Sequence, residues 1–151
     1  MSPFLGDEKA LRAPSASRLP RVENWPRVLR EEIAKHLGKR FEWGVSDCAF
    51  WADIVLALTG WDPIIDGRGY TDAETARASL EVAGYSTMLE LCEDRLVEIP
   101  IAHAMRGDLV FPEKSGPLSS PFVLDGVHAF SKTLAGPVVL GRSECIRAFG
   151  Y

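Results

Sequence analysis

Cysteine is scarce in this chain. Cys48, Cys92 and Cys145 are far apart in sequence and odd in number. That excludes a disulfide framework and a zinc signature, and points to a reducing folding compartment. Long apolar runs are missing as well. The longest, around Ile54 to Leu58, is interrupted by Asp53 and ended by Thr59-Gly60, short of the roughly 18 residues of a membrane span. There is no basic stripe: 21 acidic residues face 17 basic ones, for a net charge of −4. This excludes a general nucleic-acid binder. Met1 to Glu8 carry neither a basic n-region nor an apolar h-region, so no secretory signal is expected. No repeat is present.

What remains is a chain of 151 residues, the size of one domain, with 46% hydrophobic residues to build a core. Residues 1–24 read as an irregular N-terminal arm. Pro3, Pro14 and Pro20 interrupt it, Ser15 and Ser17 loosen it, and no periodicity runs through it. Phe4, Leu5 and Trp25 are available to anchor it on a partner. Residues 25–151 form the folded domain.

The domain is organised around Phe41-Glu42-Trp43-Gly44-Val45-Ser46-Asp47-Cys48 and the apolar run that follows. A helix is expected from Asp47 to Leu58, with Ser46 as its N-cap. Cys48 then lies in the first turn, where unpaired amides and the helix dipole lower a thiol pKa and favour a nucleophile. A cysteine opening an apolar helix is also the pattern of an ordinary core residue. Asp53, on so apolar a helix, requires a partner, with Arg68 or Arg106 as candidates.

Three further helices follow from periodicity and caps. Val28, Leu29, Ile33 and Leu37 share a face over Pro26 to Leu37, with Asn24 as cap and His36 structural near the C-terminal end. Thr71 and Glu74 form a capping box for a helix reaching Ala83. Ser86 caps a fourth helix to Leu96, with Met88, Leu91, Cys92 and Leu96 inward. After Val97 the chain turns to short β-rich runs: Leu109-Val110-Phe111, Val123-Leu124, Val127 to Phe130, Val138 to Leu140 and Ile146 to Phe149. Helices first and a small antiparallel sheet after them is an α+β layout.

The motifs Trp43-Gly44-Val45-Ser46-Asp47-Cys48 and Gly107-Asp108-Leu109-Val110-Phe111 resemble the papain-like, NlpC-type cysteine peptidases. A closer resemblance is to short tail-associated proteins of bacteriophages and gene-transfer particles. It rests on Phe41-x-Trp43-Gly44-x-x-Asp47-Cys48, on Gly69-Tyr70-Thr71 and on Cys145-x-x-Ala148-Phe149. The resemblance implies a papain-like fold with a buried cysteine-bearing helix. It implies Cys48 as nucleophile, a strand histidine as base, and a third polar group that orients the base. Trp43, Gly44 and Asp47 become supporting residues, and backbone N–H groups at the helix start form the oxyanion hole.

Of the three histidines, His128 is the candidate base and His103 the fallback. Ser131 and Glu144 stay open as the third group. The chain departs from the peptidase pattern after His128, where Ala129-Phe130-Ser131-Lys132 replaces a Val-Gly-Ile-Tyr-like run. The resemblance thus implies a protein of a phage or phage-like tail tip or hub, assembled in the host cytoplasm. It would cleave peptidoglycan stem peptides and meet other tail proteins through the arm. One alternative is an inactive structural module of the tail that docks through the arm and the Pro112–Pro121 loop. Another is an amidase of the bacterial cytoplasm. No cofactor, metal, nucleic acid or membrane span is implied.

Overall fold

The computed structural model describes residues 18–114 and 119–151. Among them, four α-helices precede a six-stranded antiparallel sheet, the α+β layout expected from the sequence. Helix α1 (Trp25–Gly38) has Pro near its first turn and buries Leu29, Ile33 and His36 at helical spacing. Helix α2 (Phe50–Thr59) is the centre of the molecule. Phe50, Trp51, Ala52, Ile54, Val55 and Leu58 are all buried. Each large apolar side chain so buried contributes about 1.5–3 kcal/mol. The helix ends where Gly60, at φ +82°, donates its N–H to Leu56 O at 2.8 Å.

The predicted capping box of the third helix and the predicted cap of the fourth are each displaced by one residue, and both helices carry a capping box. Helix α3 (Ala73–Val82) is capped by Asp72, with Thr75 rather than Glu74 returning the bond. Asp caps as well as Thr does, and the Thr75 hydroxyl reaches the Asp72 N–H at 3.0 Å. Helix α4 (Met88–Arg95) is capped by Thr87 paired with Glu90, so Ser86 stands just outside. Leu91, Cys92 and Leu96 are core residues, as their spacing predicts.

The sheet order is β1-β6-β2-β3-β4-β5. Strand β6 (Cys145–Gly150) inserts between β1 (Val97–Ile99) and β2 (Leu109–Pro112). Strands β3 (Phe122–Asp125), β4 (His128–Thr133) and β5 (Gly136–Gly141) follow by hairpin pairing, with Val123 opposite Phe130. Side chains alternate between faces. Leu109, Phe111, Val123 and Phe149 join the helices in the main core. Val110, Leu124, Ala129 and Ala148 form a smaller cluster with Ala104 and Cys145.

Residues 18–24, the end of the irregular segment, lie against this body. Val22 donates its N–H to Leu58 O at 2.8 Å, and Arg18 and Arg21 reach the buried Asp108. The arm residues 1–17, including the anchors Phe4 and Leu5, fall outside the described residues, as do 115–118 of the Pro112–Pro121 loop. No helix among the described residues is long and apolar enough to cross a membrane.

Candidate functional site

The loop from Phe41 to Ala49 folds on itself before α2 begins. Glu42 and Ser46 exchange backbone hydrogen bonds at 2.9 Å each. Gly44 sits at φ +79°, and a Cβ there would meet the Tyr70 carbonyl oxygen at 2.3 Å, so only glycine fits. Asp47 is buried, and its carboxylate draws the loop together. It accepts from Gly44 N and Ala49 N at 2.8 Å each, and from the Tyr70 hydroxyl. Burial and this bond to Asp47 hold the Tyr70 hydroxyl far above its ordinary pKa, as a permanent donor.

These contacts revise the expected helix entry. The helix starts at Phe50, not Asp47, and Cys48 stands in the turn just before it. Ser46 is not the cap; Ala49 occupies that position without a side-chain bond, and Asp47 satisfies the Ala49 N–H instead. Burial pushes the Cys48 thiol pKa up, and the Asp47 charge pushes it further. The Ser120 side chain and a backbone hydrogen bond pull the other way without overcoming the rise. The lowered thiol pKa expected of a first-turn position is therefore not found: burial first, and the Asp47 charge with it, set the direction.

The Ser46 hydroxyl has another task. It lies 2.9 Å from His36 Nδ1 and accepts from Lys132 Nζ at 2.8 Å. Lys132 Nζ also donates to His36 O at 2.6 Å, satisfying a carbonyl in the last turn of α1. His36 Nε2 lies 3.3 Å from Asp53 Oδ2, and its ring stacks on Phe50. Asp53 in turn pairs with Arg68 at 2.8 Å, while Arg106 is taken by Asp125. A buried polar chain thus ties α1, the entry loop, α2 and β4 together. Burial depresses the His36 pKa, so the imidazole is neutral at pH 7.

Cys48 itself is half-buried and borders two recesses that share it with Trp43. One is a narrow apolar slot of about 50 Å³ against Tyr70, Ala76, Leu80, Ala83 and Met88. The other is an open groove of about 500 Å³ against Phe41, Arg77, Ser120, Phe122 and the end of β4. Trp43 stands edge-on to Phe41 and to Tyr70, with ring centroids 5.0 and 6.3 Å away.

His128 lines neither recess. It is exposed at the first position of β4, whereas Ser131, Lys132 and Thr133 at the other end border the groove. Alternation puts His128, Phe130 and Lys132 on one face, the side that Phe130 packs against the helices. Four residues of strand, roughly 13 Å, separate His128 from Lys132. The antiparallel register explains the outcome. With Val123 opposite Phe130, the residues leading into β3 run beside the end of β4, so Ser120 is what meets the thiol. His103 is exposed in the turn Ile101–His103, which packs on β6 and lines neither recess. Of the residues left open as a third group, Ser131 borders the groove. Glu144 instead accepts from Gly141 N at 2.7 Å.

Ser120, Tyr70, Arg77 and Lys132 were not singled out as site residues from sequence. Lys132 carried a readable signal, a lysine in register with an inward aromatic on a strand; Ser120 carried none. Among the described residues no group of three or more His, Cys, Asp or Glu could hold a metal ion. No curated protein and no solved structure matches the chain. Residues 20–151 match the model of a family described as a domain of unknown function, DUF6950, and the chain belongs to that family.

Proposed function

We propose that this protein is a papain-like, NlpC-type domain of a phage or phage-like tail, acting at the tip or hub as an assembly module rather than a peptidase. The observation that carries the reading is the setting of Cys48. Its thiol pKa is raised, Ser120 stands against it, and no imidazole lines either recess beside it. A cysteine nucleophile needs a base that keeps it ionised and later protonates the leaving amine. The tail setting draws on the shared motifs. Gly44, Asp47 and Tyr70, three of those motif residues, form one hydrogen-bonded unit that shapes the entry loop.

A second reading, hydrolysis of peptidoglycan stem peptides, is favoured by one observation: Cys48 borders an open groove at the mouth of a buried helix. Particles carrying Cys48→Ala separate the two. The assembly reading expects intact tails, normal infectivity and no change in stem-peptide hydrolysis. Purified wild-type protein that cleaves stem peptides, with the cleavage lost in Cys48→Ala, would overturn it in favour of the peptidase.

A further inference from the structure

We infer that the two recesses meeting at Trp43 and Cys48 form one docking site for an extended segment of a partner protein, with an apolar side chain in the slot and a carboxylate in the groove. The inference rests on the assembly reading and names the chemistry of the partner. Three observations carry it.

The first is charge. Arg77 and Lys132 line the groove, and among the described residues no carboxylate does. The Lys132 ammonium is buried, bonded to His36 O and Ser46 Oγ and within reach of the Asp47 charge, so the exposed Arg77 is the cation that the groove offers a ligand. In a chain of net charge −4 this is a local positive site. It selects an acidic group by position rather than by overall attraction.

The second is an unsatisfied donor. Ser120 is 4% exposed, it lines the groove, and its hydroxyl touches the thiol without a regular hydrogen bond. A buried hydroxyl left in this state is costly, and an incoming carboxylate or peptide carbonyl relieves it.

The third is shape. The slot opens from the same Trp43–Cys48 edge and is walled by Ala76, Ala83 and Met88, with room for the tip of one aliphatic side chain. Asp66, the acid on its wall, is held by Arg95 at 2.8 Å and does not repel the ligand. A groove of about 500 Å³ is of the size that binds small ligands or a few residues of extended chain, and Trp43 and Phe122 supply apolar walls.

The test uses the full chain and short fluorescein-labelled L-peptides carrying one leucine and one glutamate in adjacent or alternate positions, read by fluorescence anisotropy. Saturable binding is expected, weakened about tenfold when glutamate becomes lysine or when Arg77→Glu reverses the groove charge. Ala76→Leu, which fills the slot, abolishes the preference for leucine over glycine. Ser120→Ala weakens binding while its melting temperature is unchanged or higher, which separates docking from folding. Absence of saturable binding up to about 1 mM peptide, or binding indifferent to peptide charge, would overturn the inference. So would preference for a D-residue-containing stem peptide over every L-peptide. Failure here with intact Cys48→Ala particles rejects the docking site alone, whereas Cys48-dependent cleavage rejects the assembly reading beneath it.

Discussion

Asp108 offers the most direct test of how this fold is held together. It follows Gly107 at the start of β2 and is fully buried. Its Oδ1 accepts from Arg18 Nη1 at 2.6 Å and Arg21 Nη2 at 3.0 Å, and its Oδ2 from Arg18 Nη2 at 3.1 Å and Met105 N at 2.8 Å. One carboxylate thus joins residues 18–21 to the sheet and closes the turn before β2. Arg21 also donates to Arg106 O at 2.6 Å and stacks over Trp25. Asp108→Asn keeps the shape and removes the charge, leaving two guanidinium groups without their counter-ion. Breaking a buried pair from one side costs about 3–5 kcal/mol. The Arg18 side chain is 30% exposed and can be rehydrated, so the lower end, about 3 kcal/mol, is expected.

For a domain of this size that lowers the melting temperature by about 6–12 °C. The order of effects is the sharper test. Arg21→Ala, with 9% exposure, should cost more than Arg18→Ala, and both less than Asp108→Asn. Thermal unfolding by circular dichroism measures all three. Trypsin should cut Asp108→Asn after Arg18 or Arg21 faster than wild type. A loss below about 1 kcal/mol in Asp108→Asn, or equal costs for the two arginines, would refute the argument that burial decides the strength of this latch.

Acid should weaken the fold through His36. Its pKa is depressed by burial, so unfolding takes up a proton between that value and the ordinary one near 6.5. Stability is then full above about pH 6.5 and falls as the pH drops towards the depressed value. Urea midpoints should show that slope and lose it in His36→Asn. Cys48 alkylation by iodoacetamide, with Cys92 and Cys145 replaced by serine, should be slow at neutral pH and rise only above the ordinary thiol pKa. His128→Ala should leave that profile unmoved; a shift would place an imidazole at the thiol. Gly44→Ala should cost about 2–4 kcal/mol from its positive φ and the collision with the Tyr70 carbonyl, read from chemical denaturation. A near-neutral result would mean the entry loop is not held as described.

The elements and their order were legible because they depend on neighbours in sequence. The all-round apolar run of α2, the apolar face of α4 and the alternating strands carry their own burial pattern. The caps of α3 and α4 were legible to within one residue, because Thr71, Asp72, Ser86 and Thr87 are comparably good caps and only loop geometry chooses among them. Asp53 announced its need for a cation, and the fold supplied Arg68 from across the loop. Ser46 read as a cap and is instead a junction between His36 and Lys132, because its partners lie 10 and 86 positions away.

Sequence alone determined the α+β order and the central apolar helix with a cysteine at its door. These are properties of single segments, where periodicity, propensity and local hydrogen bonds act over a few residues. Tertiary structure alone decided that β6 enters between β1 and β2, and which end of β4 reaches the cysteine. Strand register is set by long-range pairing, and a strand turned end for end keeps its composition while exchanging Lys132 for His128 at the groove. It decided the Cys48 pKa for the same reason. The dipole of a helix start is local, but the burial and charge that set the direction come from the way the Asp47 loop, Ser120 and Tyr70 close around the sulfur.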